Sequence, residues 1–263
     1  MPSLTLLKIK NLNISDLNGT SLIKNLNLDV RKGILNVIIG ESGAGKSLTA
    51  RALLNYLPKG LDMNFTEYQF ENNEARDIKK FLGKDIGYIS QNYAQSFNEH
   101  TRLEKQLIAI YRTHYDASRS EALEKIKNAL KWVNLDDSNI IKKYRFELSG
   151  RQLERVYSDS VLMLAPILII ADEPVASLDV VNGHKIMQLL QHIVKDHHNT
   201  VLLITHNMNH VLRYGDYFTV MKRGEVVETG EVGNLLENRV SHSYTKQLLE
   251  NRNSMSQSEF HDY

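Results

Sequence analysis

The chain has 263 residues, 42% hydrophobic and 24% charged, with 32 basic against 31 acidic side chains. That length suits one large domain or two small ones, and the near-zero net charge excludes recruitment of nucleic acid or anionic lipid by a global field. The absence of cysteine excludes disulfides, thiolate metal sites and Cys-ligated iron–sulfur clusters, and suits a reducing compartment.

The N-terminus, MPSLTLLKIKN, has no charged start followed by an apolar stretch and a small-residue cleavage site, so no export signal is expected. The stretches LTLLKIKNLNI and LIKNLNLDV alternate apolar and polar residues, which predicts two half-buried strands joined by a turn at Asn18-Gly19. ILNVIIG (34–40) is apolar on both faces, as a central parallel strand requires. A helical pattern from Lys46 to Leu57 is expected to stop at Pro58 and Gly60.

Residues 101–163 read as mainly helical, with Thr101/Glu104 and Ser118/Glu121 at capping-box spacing. Ala122, Ile126, Ala129 and Val133 form one apolar stripe, read as core. An apolar strand (ILIIAD, 167–172), a helix (182–195), a strand (VLLIT, 201–205) and a hairpin turning at Arg223-Gly224 follow. The run VLMLAPILIIA is far shorter than the ~18 to 20 residues of a bilayer span, so any membrane role is expected to run through partners. The ending NRNSMSQSEFHDY is polar and expected to fray. Strands alternating with helices predict an α/β core with a parallel sheet, and 101–163 reads as a helical insertion into it.

Three segments carry chemistry. GESGAGKS comprises Gly40, Glu41, Ser42, Gly43, Ala44, Gly45, Lys46 and Ser47, a P-loop pattern between a buried strand and a helix. Backbone N–H groups of such a loop cradle nucleotide phosphates; Lys46 would reach the β- and γ-phosphates, and Ser47 would give a hydroxyl to Mg²⁺. A chance match somewhere in a chain of this length has a probability of roughly 1%. Asp172 ends a buried strand, where a carboxylate can hold Mg²⁺ through water, and Glu173 beside it can polarise the attacking water. His206 closes VLLIT and can orient that water near the γ-phosphate. His210 reads as solvated surface, and the pair His206/His210 lacks the Glu of a zinc-protease motif.

The order GESGAGKS, Gln91 in IGYISQN, LSGRQ, ILIIADEP with SLD (177–179), then His206 resembles the nucleotide-binding subunit of ABC transporters, from about residue 4 to 250. That resemblance implies a P-loop NTPase (RecA-like) α/β core with an N-terminal antiparallel β subdomain and an inserted helical subdomain at about 92–165. It implies a single ATP-binding domain over 1–250, followed by a polar tail at 251–263. Gln91 would sense Mg²⁺ and water, Asp179 would couple two sites across a dimer, and His206 would be the switch histidine. Ser149, Gly150, Arg151 and Gln152 would cap the γ-phosphate of ATP on a partner's P-loop.

GESGAGKSLTARALLNYLPKGL, SQNYAQSFNEHTRLEKQL and SYTKQLLE look like the peptide and nickel importer subgroup. The expected function is ATP hydrolysis driving uptake of nickel or a nickel chelate; an oligopeptide or dipeptide importer, or a weakly hydrolysing regulatory subunit, is the alternative. The implied partners are a second, homologous ATPase in a heterodimer, two permease subunits and an extracytoplasmic substrate-binding protein, and the implied place is the cytoplasmic face of the cell membrane. A non-transport ATPase acting on DNA or ribosomes fits less well, because residues 92–148 leave no room for a long coiled-coil arm and no basic stripe is present.

Three positions depart from the family pattern. Arg151 stands where a second glycine normally lets backbone approach phosphate; it either holds a γ-phosphate oxygen as a charged donor or obstructs by bulk, and obstruction is favoured because glycine serves close approach there. Asp16 stands where an aromatic residue normally stacks on adenine. Ser158-Asp159 replaces apolar residues in the helix after LSGRQ, so the carboxylate is expected to be exposed or paired.

Overall fold

A computed structural model describes residues 4–75, 77–90, 95–133, 135, 139–176 and 180–258. Its elements in chain order are β1 (Thr5–Asp16), β2 (Ser21–Arg31), β3 (Leu35–Ile39), α1 (Lys46–Leu53), β4 (Leu61–Asn64), β5 (Glu67–Phe70), β6 (Asn73–Glu74), β7 (Ile86–Ser90), α2 (Leu103–His114), α3 (Arg119–Trp132), α4 (Gly150–Leu162) and β8 (Leu168–Asp172). They continue with α5 (Val180–His197), β9 (Thr200–Thr205), α6 (Met208–Tyr214), β10 (Tyr217–Lys222), β11 (Glu225–Glu231), α7 (Val232–Leu236) and α8 (Ser243–Ser258). The chain divides into two compact units, residues 1–80 with 191–263, and residues 81–190.

The first unit holds the expected antiparallel subdomain and part of the parallel core. β1 pairs antiparallel with β2, β4 and β5, and β5 with β6. The apolar side chains of β1 and β2 alternate inward, Leu7, Ile9, Leu12 and Ile14 against Ile23, Leu26, Leu28 and Val30, all buried. β3 lies parallel between β9 and β10, and β11 returns antiparallel on β10. All five residues of β3 are buried. They include Asn36, whose side chain accepts the Arg31 N–H at 2.9 Å and donates to the Arg31 carbonyl at 2.9 Å, so the buried amide is satisfied.

In the second unit β7 and β8 pair parallel, and α3 packs on α2 and α4. The predicted stripe Ala122, Ile126, Ala129 and Val133 is buried, and Ser118 and Glu121 form the expected reciprocal capping box. The box expected at Thr101/Glu104 does not form. Arg102 occupies the N-cap of α2 without a side-chain bond, and Glu104 instead pairs with Arg119 at 2.6 Å. Gln106 donates to the Thr101 carbonyl at 2.6 Å, which takes up the backbone group that would have opened the helix.

Helix α1 also ends before the expected stop. Asn55 adopts the left-handed conformation (φ 49°), the Tyr56 N–H donates to the Arg51 carbonyl at 2.9 Å and the Asn55 N–H to the Ala52 carbonyl at 2.9 Å. This Schellman closure satisfies the terminal carbonyls before Pro58 is reached. At the other end of the chain α8 runs to Ser258, through the start of the polar tail. No helix among the described residues is long and apolar enough to cross a membrane.

Candidate functional site

In the first unit the P-loop connects the end of β3 to α1. Gly43 and Gly45 have φ of 80° and 100°, left-handed values that glycine adopts without steric cost. Three glycines permit close approach here, two of them to backbone and one to a side chain. A Cβ on Gly40 would lie 2.2 Å from the Met221 carbonyl oxygen, one on Gly45 2.5 Å from Ile23 Cδ1, and one on Gly224 2.1 Å from the Leu22 carbonyl oxygen. The Gly224 N–H donates to the Ala44 carbonyl at 3.0 Å, and the Gly224 carbonyl accepts the Lys24 N–H at 3.0 Å. The hairpin turn at Arg223-Gly224, with φ of 49° and 82°, therefore braces the loop from below.

Lys46 is only 6% exposed, and its ammonium donates to the Gly40 carbonyl at 2.7 Å and the Glu41 carbonyl at 3.0 Å. The long side chain thus folds back over its own loop, and Ser47 follows on the first turn of α1. Backbone N–H groups at the start of this helix and a buried ammonium together make an anion site suited to phosphate. His206 follows β9 in the same unit and is exposed. His210, one turn further on, is half-buried against Tyr214 rather than solvated; burial and the neighbouring His206 push its pKa down, and its Nδ1 is buried without a hydrogen-bond partner. The apolar face of α6 accounts for the difference, because Val211 and Tyr214 bury the side of the helix that carries His210.

In the second unit Asp172 ends β8, 6% exposed, and accepts the Tyr88 hydroxyl at 3.1 Å. Glu173 follows in the left-handed conformation (φ 49°), with its carbonyl accepting the Ala176 N–H at 3.2 Å. The segment LSGRQ opens α4. Ser149 is the N-cap, its hydroxyl accepting the Gln152 N–H at 3.3 Å while Gln152 Oε1 accepts the Ser149 N–H at 3.1 Å. Gly150 and Arg151 are exposed on the first turn. The serine and glutamine of the motif are thus a capping box, an arrangement that the reading of the motif as a phosphate cap did not anticipate. Gln91 and Asp179 lie outside the described residues.

Of the departures from the family pattern, Asp159 overturns the sequence expectation and Asp16 has a local role. Asp159 is neither exposed nor paired. It is 0% exposed, neither carboxylate oxygen has a hydrogen-bond partner, and burial pushes its pKa well above the usual carboxylate range. Asp16 holds the β1–β2 turn, accepting the Asn18 and Thr20 N–H groups at 2.9 Å and 2.8 Å, and these bonds lower its pKa. Its residue type therefore has a local cause in the turn.

A family model described as ABC transporter matches residues 23–176. The chain is 52% identical over 252 residues to the nickel import system ATP-binding protein NikD of Staphylococcus aureus strain bovine RF122 / ET3-1, covering 96% of this chain and 98% of the relative. It is 51% identical over the same coverage to the protein of that name in strain USA300. Among solved structures, cbiO1 from Clostridium perfringens, described as part of the ABC transporter complex cbiONQ, superposes with a TM-score of 0.77 at 26% identity, over 90% of this chain and 92% of that one. The ATP-binding cassette MJ0796, solved as a dimer in a post-hydrolysis state bound to ADP and Pi, superposes with a TM-score of 0.75 at 25% identity, over 86% and 98%. With the P-loop cradle already built from its own residues, this chain belongs to the ABC transporter family, as one of its nucleotide-binding members.

Proposed function

We propose that this chain is the ATP-hydrolysing subunit of a multi-subunit importer that carries nickel, or a nickel chelate, across the cell membrane from a position on its cytoplasmic face. The observation that carries the reading is the 52% identity to a nickel import ATP-binding protein across 96% of the chain. In this reading Lys46 and the loop amides bind the β- and γ-phosphates, Glu173 takes a proton from the attacking water, and His206 orients that water. Ser47, Asp172 and Gln91 supply hydroxyl, carboxylate and amide oxygens, a donor set that suits the hard cation Mg²⁺, which when bound neutralises charge on the phosphates.

The partners of this reading are a second homologous ATPase, two permease subunits and an extracytoplasmic binding protein. Ser149, Gly150 and Gln152 then face the partner's triphosphate, with Asp179 at the junction of the two sites. Arg151 places a long charged side chain where that triphosphate approaches, which makes the two sites of the pair unequal. The test is the ATPase rate of the reconstituted transporter with its binding protein loaded with nickel or with peptide. Stimulation by the nickel form supports the reading, and stimulation by peptide alone replaces it with a peptide importer. Arg151→Gly is expected to raise turnover at the partner's site, and an unchanged rate removes the asymmetry.

A further inference from the structure

The C-terminal helix reaches the P-loop through one side chain. On β11 the Glu228 carboxylate accepts the Ser241 N–H at 2.7 Å, the Ser241 hydroxyl at 2.9 Å and the His242 N–H at 3.3 Å. His242 Nδ1 accepts the Tyr244 N–H at 3.1 Å, which completes a tied first turn of α8. Tyr244 is held there at 2% exposure, with the Lys222 ammonium 4.4 Å from its ring centroid. Its hydroxyl oxygen accepts the Glu41 N–H at 3.0 Å.

The peptide unit that gives Tyr244 its N–H presents its carbonyl, on Gly40, to the Lys46 ammonium at 2.7 Å. One peptide plane is therefore gripped from both edges, by a buried phenol on one side and by the phosphate-binding lysine on the other. Gly40 has no side chain to fix it, since a Cβ would meet the Met221 carbonyl oxygen at 2.2 Å, so the orientation of this plane rests on its hydrogen bonds. An amide bound at its N–H is also a more polarised acceptor at its oxygen.

We propose that Tyr244 is a positioning residue of the nucleotide site, fixing the Gly40–Glu41 peptide so that the P-loop and Lys46 are shaped for the triphosphate before it arrives. The proposal rests on the ATP-hydrolysing reading. The Tyr244 hydroxyl acts on the phosphate-binding loop and has no part in the proton transfer assigned to Glu173, so its loss acts on nucleotide binding ahead of the chemical step.

Tyr244→Phe deletes the hydroxyl oxygen and keeps the ring under Lys222. Titration of the full-length chain with MgATP is expected to give a Kd about three- to tenfold higher in this variant, the factor of one lost hydrogen bond. In the assembled transporter KM for ATP is expected to rise by the same factor and kcat to change by less, while the unfolding midpoint without nucleotide stays near that of the parent chain. An unchanged Kd overturns the proposal, and an unchanged Kd with a lowered midpoint reduces Tyr244 to a packing residue of α8. Failure of the parent chain itself to bind MgATP is a separate result, and it removes the ATP-hydrolysing reading along with this one.

Discussion

Tyr88 donates its hydroxyl hydrogen to Asp172 Oδ2 at 3.1 Å across the parallel pair β7–β8. The Tyr157 hydroxyl on α4 donates to the Tyr88 carbonyl at 3.0 Å, so the carboxylate at the strand end is tied by two hydroxyls in succession to the helix that LSGRQ opens. Tyr88→Phe removes the donor and leaves the carboxylate less constrained. ATP turnover measured against free Mg²⁺ is expected to need about three- to tenfold more cation for half-maximal rate, the equivalent of ~1 kcal/mol.

Glu173 combines an ionisable group with a left-handed backbone (φ 49°), a conformation costing roughly 1 to 2 kcal/mol outside glycine. Glu173→Gln keeps the backbone type and deletes the base, so ATP binding is expected to persist while single-turnover hydrolysis falls by about a hundredfold or more. Glu173→Gly is expected to be equally inactive yet harder to unfold by up to about 1 kcal/mol in urea titration.

The acidic residues buried on α4 predict an unusual pH dependence. Burial raises Glu154 from 4.5 to about 7 against the opposing charge of Arg155, and raises Asp159 well above its ordinary range. Between the unfolded and folded values the native state holds more protons than the unfolded chain, so stability is greatest below about pH 4 for these two groups and declines as pH rises through 7. For Glu154 the full change is roughly 3 kcal/mol. Asp159→Ala is expected to stabilise the chain by about 1 to 3 kcal/mol at pH 8 and to flatten the slope of denaturation free energy against pH.

Gly224→Ala places a methyl group 2.1 Å from the Leu22 carbonyl oxygen at a φ of 82°. Displacing that turn also stretches the bond from Gly224 to Ala44. The expected result is a loss of about 2 to 3 kcal/mol in chemical denaturation together with weaker MgATP binding by titration calorimetry.

The parts of this chain legible in sequence are those whose cause is local. The glycine spacing of 40–47, the two-sided apolar run of β3 and the Ser118/Glu121 box each contain their own physical reason, and each forms as read. Other features turned on competition between local options. Asn55 closed α1 before Pro58 could, and Glu104 paired with Arg119 in place of capping its own helix. The bond from Tyr244 to Glu41 spans most of the chain and leaves no periodicity, so only the fold brings those residues together. Asp159 was illegible for the opposite reason, because its burial unpaired runs against every expectation for a carboxylate.

The brace beneath the P-loop has a consequence for biogenesis. Residues 40–47 are translated well before the strand β10 beside β3, the turn at Gly224 and the phenol at Tyr244. A nascent chain halted before residue 217 possesses the whole motif and β9 beside β3, but lacks β10, the Gly224 turn that donates to Ala44 and the phenol that accepts from Glu41. The full set of contacts that shape the loop is thereby tied to the arrival of residues 217–244, long after the motif itself has been made.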